Sequence, residues 1–155
     1  MTDSTAAGRA LDALGIPYRL FRHSQPPDSL EQAATQRGQL PDQVIRSILF
    51  RLGKNDFVLV LTAGPAQLAW PKLRARLGVS RLSLASEAEV LEVTGAPIGA
   101  VGPLGLPVPV PLLADEGVFL PEEVSIGSGV RGTAVILKSK DLKRALGQVD
   151  IARLT

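Results

Sequence analysis

The chain has 155 residues and a formal net charge of +2, with 45% hydrophobic and 21% charged residues, a composition typical of one folded globular domain over residues 1–155. It contains no cysteine, which excludes disulfides and thiolate chemistry, and it has no apolar run long enough to span a membrane. Because the first residues also lack the apolar core of a signal peptide, we expect a cytoplasmic protein without membrane partners.

Apolar periodicity and capping residues predict helices early in the chain and mainly strands later. The predicted elements are a helix over 6–14, a strand over 18–21, a helix over 30–37 capped by Ser29, a turn from Pro41, a hairpin of strands 46–52 and 57–62, a basic helix after Pro71, a helix from Ser86 to Val93, strands over 108–114, 118–120, 124–126 and 133–137, and a helix capped by Ser139 that ends near Gly147. The hairpin-like spacing favours an α+β domain around a mixed, largely antiparallel sheet.

The segment Gly95–Gly105 is unusual because it is rich in glycine and proline and has no charged side chain. Glycine raises the entropic cost of ordering and proline removes a backbone donor, so a regular helix or central strand is excluded here. Such a segment offers backbone N–H and C=O groups that a ligand can approach closely. We therefore expect a binding loop built from main chain.

Basic residues gather after the predicted hairpin. Lys72, Arg74, Arg76 and Arg81 fall within ten residues and can form a patch that faces phosphate groups. A solvated helix face explains the same run, and the sequence leaves both interpretations open.

Several enzyme classes lack their residues in this chain. One histidine and no cysteine give no zinc-ligand set. His23 lies beside Ser24, and neighbours in sequence rarely adopt the geometry of a catalytic triad. A Gly-x-Gly-x-x-Gly run at 127–132 leads into a strand-like segment rather than a helix, which favours a turn between strands over a dinucleotide site. We expect neither a metal nor a cofactor.

Two charged residues remain as candidates for a pocket. On a strand, Arg46 shares a face with Ile48 and Phe50, and a charge beside apolar neighbours needs an anionic or carbonyl partner. Snorkelling to water at a strand end is the alternative. Asp115 ends an apolar run, where it either lines a pocket or simply closes a strand.

Three segments in this order resemble the YbaK/ProX family of aminoacyl-tRNA deacylases, which are related to the editing domain of bacterial prolyl-tRNA synthetases. They are Ser29–Ala34, Val44–Phe50 and the loop Gly95–Gly105 with its Gly-x-x-x-Pro signature at Gly99–Pro103. The resemblance covers about Leu11 to Leu146. It implies a barrel-like α+β fold flanked by helices and hydrolysis of the ester between a wrong amino acid and the tRNA 3′-terminal adenosine.

The resemblance also implies a site in which backbone groups position the ester and a water molecule, assisted by the ribose hydroxyl of the substrate. It assigns catalytic roles to Arg46 and Gly99 and a tRNA contact to Lys72. The substrate-binding residues would be Ser29, Ala100, Val101, Gly102 and Pro103, and Asp115 is added to them from its place at the end of the apolar run. The expected partner is a mischarged aminoacyl-tRNA, with tRNA-Pro as the expected tRNA and a synthetase as a further partner.

One position departs from the family pattern, because Arg46 stands where the family has a lysine. Arginine keeps the positive charge and adds a bidentate fork, but it cannot supply a neutral amine. The leading hypothesis is a trans-editing hydrolase that removes a small amino acid from tRNA. The alternative is a binding module for a tRNA 3′ end, a nucleotide or an amino acid whose catalysis is impaired by the change at this position.

Overall fold

The computed structural model describes residues 4–155, and its strands form two sheets. The elements are α1 (Ala6–Leu14), β1 (Arg19–Arg22), α2 (Leu30–Gln36), β2 (Ile45–Gly53), β3 (Asp56–Ala63), α3 (Trp70–Leu77), β4 (Ser83–Leu84), α4 (Glu87–Thr94), β5 (Leu112–Asp115), β6 (Glu123–Gly127), β7 (Thr133–Lys138), α5 (Ser139–Leu146) and β8 (Asp150–Ala152), with 3-10 turns at Pro41–Gln43 and Glu116–Phe119. No helix within residues 4–155 has both the length and the apolar character that crossing a membrane requires.

The two sheets differ in strand direction. The smaller sheet has the order β1-β7-β6 and is antiparallel throughout. In the larger sheet, β4-β2-β3-β5-β8, the first three strands pair antiparallel and the last three pair parallel. A parallel bridge between Val44 and Ser125 links the sheets, which do not close into a barrel. The predicted α+β class with mixed, largely antiparallel sheets is confirmed.

The larger sheet separates two hydrophobic clusters because successive side chains on a strand point to opposite faces. On β3, Leu59 and Leu61 belong to the main cluster, which lies between the sheets and includes Leu11 of α1. The alternate β3 residues belong to a second cluster under α3, with Phe50, Leu73 and Leu154 among its members. Arg46 is on the same face of β2 as Phe50, as the alternation predicts.

Local capping signals set most helix ends where the sequence predicts them. The Ser29 hydroxyl accepts the N–H of Gln32 at 3.0 Å and starts α2. Ser86 and Glu89 form the reciprocal capping box at the start of α4. Gly15 ends α1 with a φ of 67°, a conformation that glycine adopts without a side-chain clash. These contacts are local, so a short stretch of sequence suffices to predict them.

The predictions are less accurate after Gly105. Of the predicted strand 108–114, only 112–114 lies in a sheet, as part of β5, because prolines at 107, 109 and 111 remove ladder donors. The predicted strand 118–120 is wrong, since Asp115 accepts the Gly117 N–H and caps a 3-10 turn. Ser139 begins α5 without capping it, because its hydroxyl donates to the carbonyl oxygen of Pro121. The short strands β4 and β8 carry too little pattern to be predicted.

Candidate functional site

A cavity of about 430 Å³ lies where α2, β2 and the glycine–proline loop meet, and we call it the β2 cavity. The segment before and after α2 contributes Ser29 and Arg37, β2 contributes Ile45 to Ile48, and the loop contributes Gly99 and Val101. The volume falls in the range of small-molecule sites. Four of the residues predicted for the site, Ser29, Arg46, Gly99 and Val101, therefore lie together.

The wall formed by β2 is an open strand edge. β3 pairs along one side of β2, whereas β4 pairs on the other side only at Phe50 and Arg51. Among the described residues, the Ser47 hydroxyl lines this wall and is buried without a hydrogen-bond partner. A buried polar atom without a partner is rare and costly. The open edge and this hydroxyl together provide hydrogen-bonding groups for a bound molecule.

The loop side of the cavity is fixed by very close backbone packing. A Cβ on Gly102 would overlap the carbonyl oxygen of Gly127 and lie 2.8 Å from its carbonyl carbon. The Ala100 carbonyl oxygen accepts the N–H of Gly129 at 2.9 Å, and the Ala100 N–H donates to the carbonyl oxygen of Pro97 at 3.0 Å. These contacts anchor the loop against the end of β6, which explains why a segment without regular structure still has a defined path.

Gly99 has a φ of 95° at the rim of the β2 cavity, a backbone conformation that side chains rarely tolerate. Within residues 4–155, the N–H groups of Gly99 and Val101 have no protein acceptor. Both residues line the cavity, and their N–H groups are backbone donors that this loop has left for an oxygen atom of a ligand. Two such donors are the usual elements of an oxyanion hole.

Arg46 lies half-buried at the opposite wall. Its Nε donates to the carbonyl oxygen of Gly64 at 2.9 Å, and its Nη2 donates to that of Ala66 at 2.6 Å. These two bonds hold the guanidinium in place and leave Nη1 without a protein acceptor in the described chain. Burial lowers the pKa of Arg46 from its ordinary value, but a guanidinium remains protonated at physiological pH. The site therefore keeps a fixed positive charge.

Arg37 is a second cation in the β2 cavity, and sequence reasoning missed it. Its Nε donates to His23 Nε2 at 3.1 Å and its Nη1 donates to the Ser125 hydroxyl at 2.9 Å. Since Nε2 accepts, the proton of the neutral ring is on Nδ1, which faces the side-chain carbonyl of Gln36. Burial lowers the pKa of Arg37. No local signal marks this residue, because its partner on β6 lies 88 positions away.

Comparison with known proteins defines the family. The sequence profile described as aminoacyl-tRNA editing domain matches residues 24–145, most of the chain. This chain belongs to the aminoacyl-tRNA editing domain family. The expected relationship to YbaK/ProX proteins is confirmed, and the β2 cavity lies within the matched segment.

Individual members of the editing domain family show how far the similarity extends. The multifunctional Ser/Thr-tRNA deacylase ProXp-y of Escherichia coli strain K12 is 31% identical over 134 residues, which cover 84% of this chain and 80% of that protein. The proline–tRNA ligase of Kosmotoga olearia is 43% identical over 75 residues, covering 48% of this chain and 13% of the ligase. The chain spans less than a fifth of the length of the proline–tRNA ligases of Kosmotoga olearia and Thermosipho melanesiensis that it matches.

A solved structure supports the same fold over the whole chain. The crystal structure of a proposed trans-editing enzyme for prolyl-tRNA synthetase superimposes with a TM-score of 0.87 and 28% identity, and it covers 99% of each chain. The match extends beyond the segment recognised by the family profile. The editing domain fold therefore includes α1 at one end and β8 at the other.

The remaining residues predicted for the site lie outside the lining of the β2 cavity. Ala100 is a buried residue of the loop, and Gly102 and Pro103 line other surface depressions. The buried Asp115 carboxylate accepts the N–H groups of Leu154 at 2.7 Å and Gly117 at 3.0 Å. The Lys72 ammonium donates to the carbonyl oxygen of Thr155 at 2.6 Å, on the α3 side of the molecule. No group of three or more histidine, aspartate or glutamate side chains in residues 4–155 is arranged to hold a metal ion.

Proposed function

We propose that this editing domain protein is an aminoacyl-tRNA deacylase that hydrolyses the ester of a small amino acid on a mischarged tRNA, with tRNA-Pro as the first candidate. The observation that carries the proposal is that one cavity is lined by Arg46 and by Gly99 and Val101, two residues whose N–H groups have no hydrogen-bond acceptor among residues 4–155. The naming of the Escherichia coli relative as a Ser/Thr-tRNA deacylase supports the reaction, and the similarity to proline–tRNA ligases supports the tRNA.

The reaction needs a water molecule to attack the acyl carbon and the ribose oxygen to leave with a proton. In the proposed mechanism the N–H groups of Gly99 and Val101 donate to the carbonyl oxygen as negative charge develops on it. Donors fixed in advance lower the barrier without reorganising during the reaction. The resemblance to the family implies that the neighbouring ribose hydroxyl of the substrate assists the water. No side-chain nucleophile is needed, in keeping with a chain that has no cysteine.

In this mechanism Arg46 acts through its charge. Since a guanidinium stays protonated, it serves neither as a general base nor as a neutral nucleophile. Its Nη1 donates to the ester or to the terminal phosphate, while Nε and Nη2 keep the side chain attached to Gly64 and Ala66. The replacement of the family lysine thus preserves the charge and makes its position more rigid.

Side chains near α2 are proposed to hold the rest of the substrate. The Ser29 oxygen already accepts the Gln32 N–H, but its own proton remains available for a ligand. Asp28 is the one carboxylate among the described residues that line the β2 cavity, and it suits the ammonium group of an amino acid. Arg37 adds a partly buried positive charge for a phosphate or carbonyl group.

Deacylation of a panel of mischarged tRNAs tests this function. We expect the wild-type protein to release a small amino acid from tRNA faster than the ester hydrolyses spontaneously in buffer. Arg46→Ala should lower kcat by about 100-fold, the usual cost of losing one transition-state donor. Arg19→Ala, an exposed arginine on β1, serves as the matched control and should retain activity. No hydrolysis of any substrate would overturn the proposal.

Arg46→Lys separates an active arginine site from an impaired one. If arginine has taken over the role of the family lysine, the lysine variant will show at most a modest change from an active parent. A large gain of hydrolysis from an inactive parent would instead mean that Arg46 prevents catalysis and that the native protein is a binding module. Thermal melting of both variants verifies that they are folded.

A further inference from the structure

A second concave surface lies at the far end of β2 and is lined by arginine and serine. Arg51 at the end of the strand, Arg74 on α3 and Arg81 before β4 converge on a depression of about 450 Å³, which we call the arginine cleft. Ser80 and Ser83 add two hydroxyl groups to its wall. No carboxylate occurs among the described residues that line it, so the cleft has one sign of charge.

The contacts of the neighbouring cations show which of them are available. Lys72 bonds to the carbonyl oxygen of Thr155, and Arg76 forms an ion pair with Asp150. In contrast, Arg74 and Arg81 have no hydrogen-bond or ion-pair partner among residues 4–155. The basic run in the sequence therefore contains two kinds of residue. Lys72 and Arg76 are bound within the protein, whereas Arg74 and Arg81 line the cleft.

Arg51 is held only weakly by the rest of the protein. Its Nε lies 3.9 Å from a Glu89 carboxylate oxygen, and both side chains are partly exposed. An exposed pair at this distance stabilises a fold very little. The cleft thus presents two unpaired guanidinium groups and a third that is loosely held. Guanidinium groups bind phosphate through two parallel hydrogen bonds, which favours an arginine cluster for polyphosphate backbones.

From this arrangement we infer that the arginine cleft binds backbone phosphates of the tRNA acceptor end while the 3′-terminal aminoacyl group occupies the β2 cavity. The inference rests on the proposed function. β2 lines both surfaces, and Arg51 follows Arg46 by five residues, roughly 17 Å along a strand. A few nucleotides of single-stranded RNA cover that distance. Arg74 and Arg81 therefore replace Lys72 as the residues expected to contribute most to tRNA affinity.

Binding of uncharged tRNA, followed by fluorescence anisotropy across a salt series, tests the inference directly. The double variant Arg74→Gln/Arg81→Gln should bind at least about tenfold more weakly at low salt. The slope of log affinity against log salt should fall in magnitude by about 1.4–1.8, the value for two lost phosphate contacts. Lys140→Gln/Lys143→Gln on α5 removes the same charge from a different helix and should bind within about twofold of wild type.

A second measurement separates this inference from the proposed function. Hydrolysis of an aminoacyl ester of adenosine, which is too short to reach the cleft, should be the same in wild type and in Arg74→Gln/Arg81→Gln, whereas KM for aminoacyl-tRNA should rise in the variant. If the wild type hydrolyses neither substrate yet binds tRNA through Arg74 and Arg81, the proposed deacylase function is wrong, but tRNA binding by the arginine cleft is supported.

Three results would overturn the inference. The first is wild-type tRNA affinity and salt slope in Arg74→Gln/Arg81→Gln. The second is an equal loss in the α5 control pair, which would show a general effect of charge. The third is the absence of tRNA binding by the wild-type protein. A melting temperature close to wild type in both double variants ensures that the comparison is between folded proteins.

Discussion

Gly102 and Gly127 contact each other through bare backbone, and neither position has room for a Cβ atom. A Cβ on Gly127 would overlap the carbonyl oxygen of Val101 and lie 2.9 Å from that of Ala100. The two glycines thus let the loop and the end of β6 approach closely. This packing places Gly99 and Val101 at the rim of the β2 cavity.

Alanine at either glycine should therefore damage both stability and activity. We expect Gly102→Ala and Gly127→Ala each to lower the free energy of unfolding by about 1–3 kcal/mol, the usual cost of overpacking, because the loop must move away from β6. Urea denaturation measures the loss. Gly53→Ala is the matched control, since nothing lies within 4 Å of a Cβ there. Unchanged stability in both variants would show that the loop shifts freely.

The pairing of Arg37 with His23 gives a second prediction. His23→Phe keeps the aromatic contact with Phe21 but removes the acceptor for Arg37 Nε. Leaving a partly buried charged donor without this partner should lower the free energy of unfolding by about 1–3 kcal/mol and raise KM. A double-mutant cycle with Arg37→Met measures the coupling. Strictly additive losses would show that the two side chains do not depend on each other.

A substitution at Asp115 tests whether this buried carboxylate stabilises the fold or contacts the substrate. Asp115→Asn keeps the shape but turns an amide N–H₂ toward one of the two backbone donors at Gly117 and Leu154. We expect the free energy of unfolding to fall by about 1–3 kcal/mol and the Leu154 amide to exchange faster with solvent. The exposed Glu116→Gln is the control. A rise in KM at unchanged stability would instead support the substrate contact expected from the sequence.

The ion pair between Arg76 and Asp150 joins α3 to β8 and should depend on pH. Hydrogen bonds from Arg76 hold the pKa of Asp150 below its ordinary value. A carboxyl with a lowered pKa in the folded state stabilises the fold above its unfolded pKa, near 3.9, and this contribution is lost as the pH falls through the lower folded value. The stabilisation is small because the pair is exposed.

Melting temperatures of wild type and Asp150→Asn across pH check this dependence. The variant should melt slightly below wild type at pH 7, and the two curves should converge as the pH falls below about 3.9. A difference of constant size from pH 7 to strongly acid solution would show that the carboxylate charge contributes nothing. Asp141→Asn on α5, which weakens an i,i+3 pair with Arg144, provides the comparison.

Much of the fold was predictable because its signals are local. The caps at Ser29 and Ser86 and the β2–β3 hairpin depend on residues within a few positions of one another. The parallel pairing of β5 with β8 was not predictable, since three residues near the end of the chain carry no periodic pattern. For strands so distant in sequence, the partner is set by tertiary packing rather than by propensity.

The residues of the candidate site likewise differ in whether local sequence reveals them. Arg46 and Gly99 stand out in sequence because a charge on an apolar strand face and a glycine–proline loop are both unusual. Arg37 looks like an ordinary residue at the end of a helix, and only the packing of α2 against β6 gives it a buried acceptor. The basic run is visible in the sequence, but its division into bound and unpaired cations depends on Thr155 and Asp150, far along the chain.

Leu11 and Leu154 have no solvent exposure, although both lie outside residues 24–145 matched by the family profile. The Leu154 carbonyl accepts the Ala69 N–H at 2.7 Å, and its own N–H satisfies Asp115. The segment recognised by the family profile is therefore shorter than the segment that packs as one folded unit. A chimaera that transplants only the matched segment into a synthetase would open two holes in its interior, so a working graft must include both flanks.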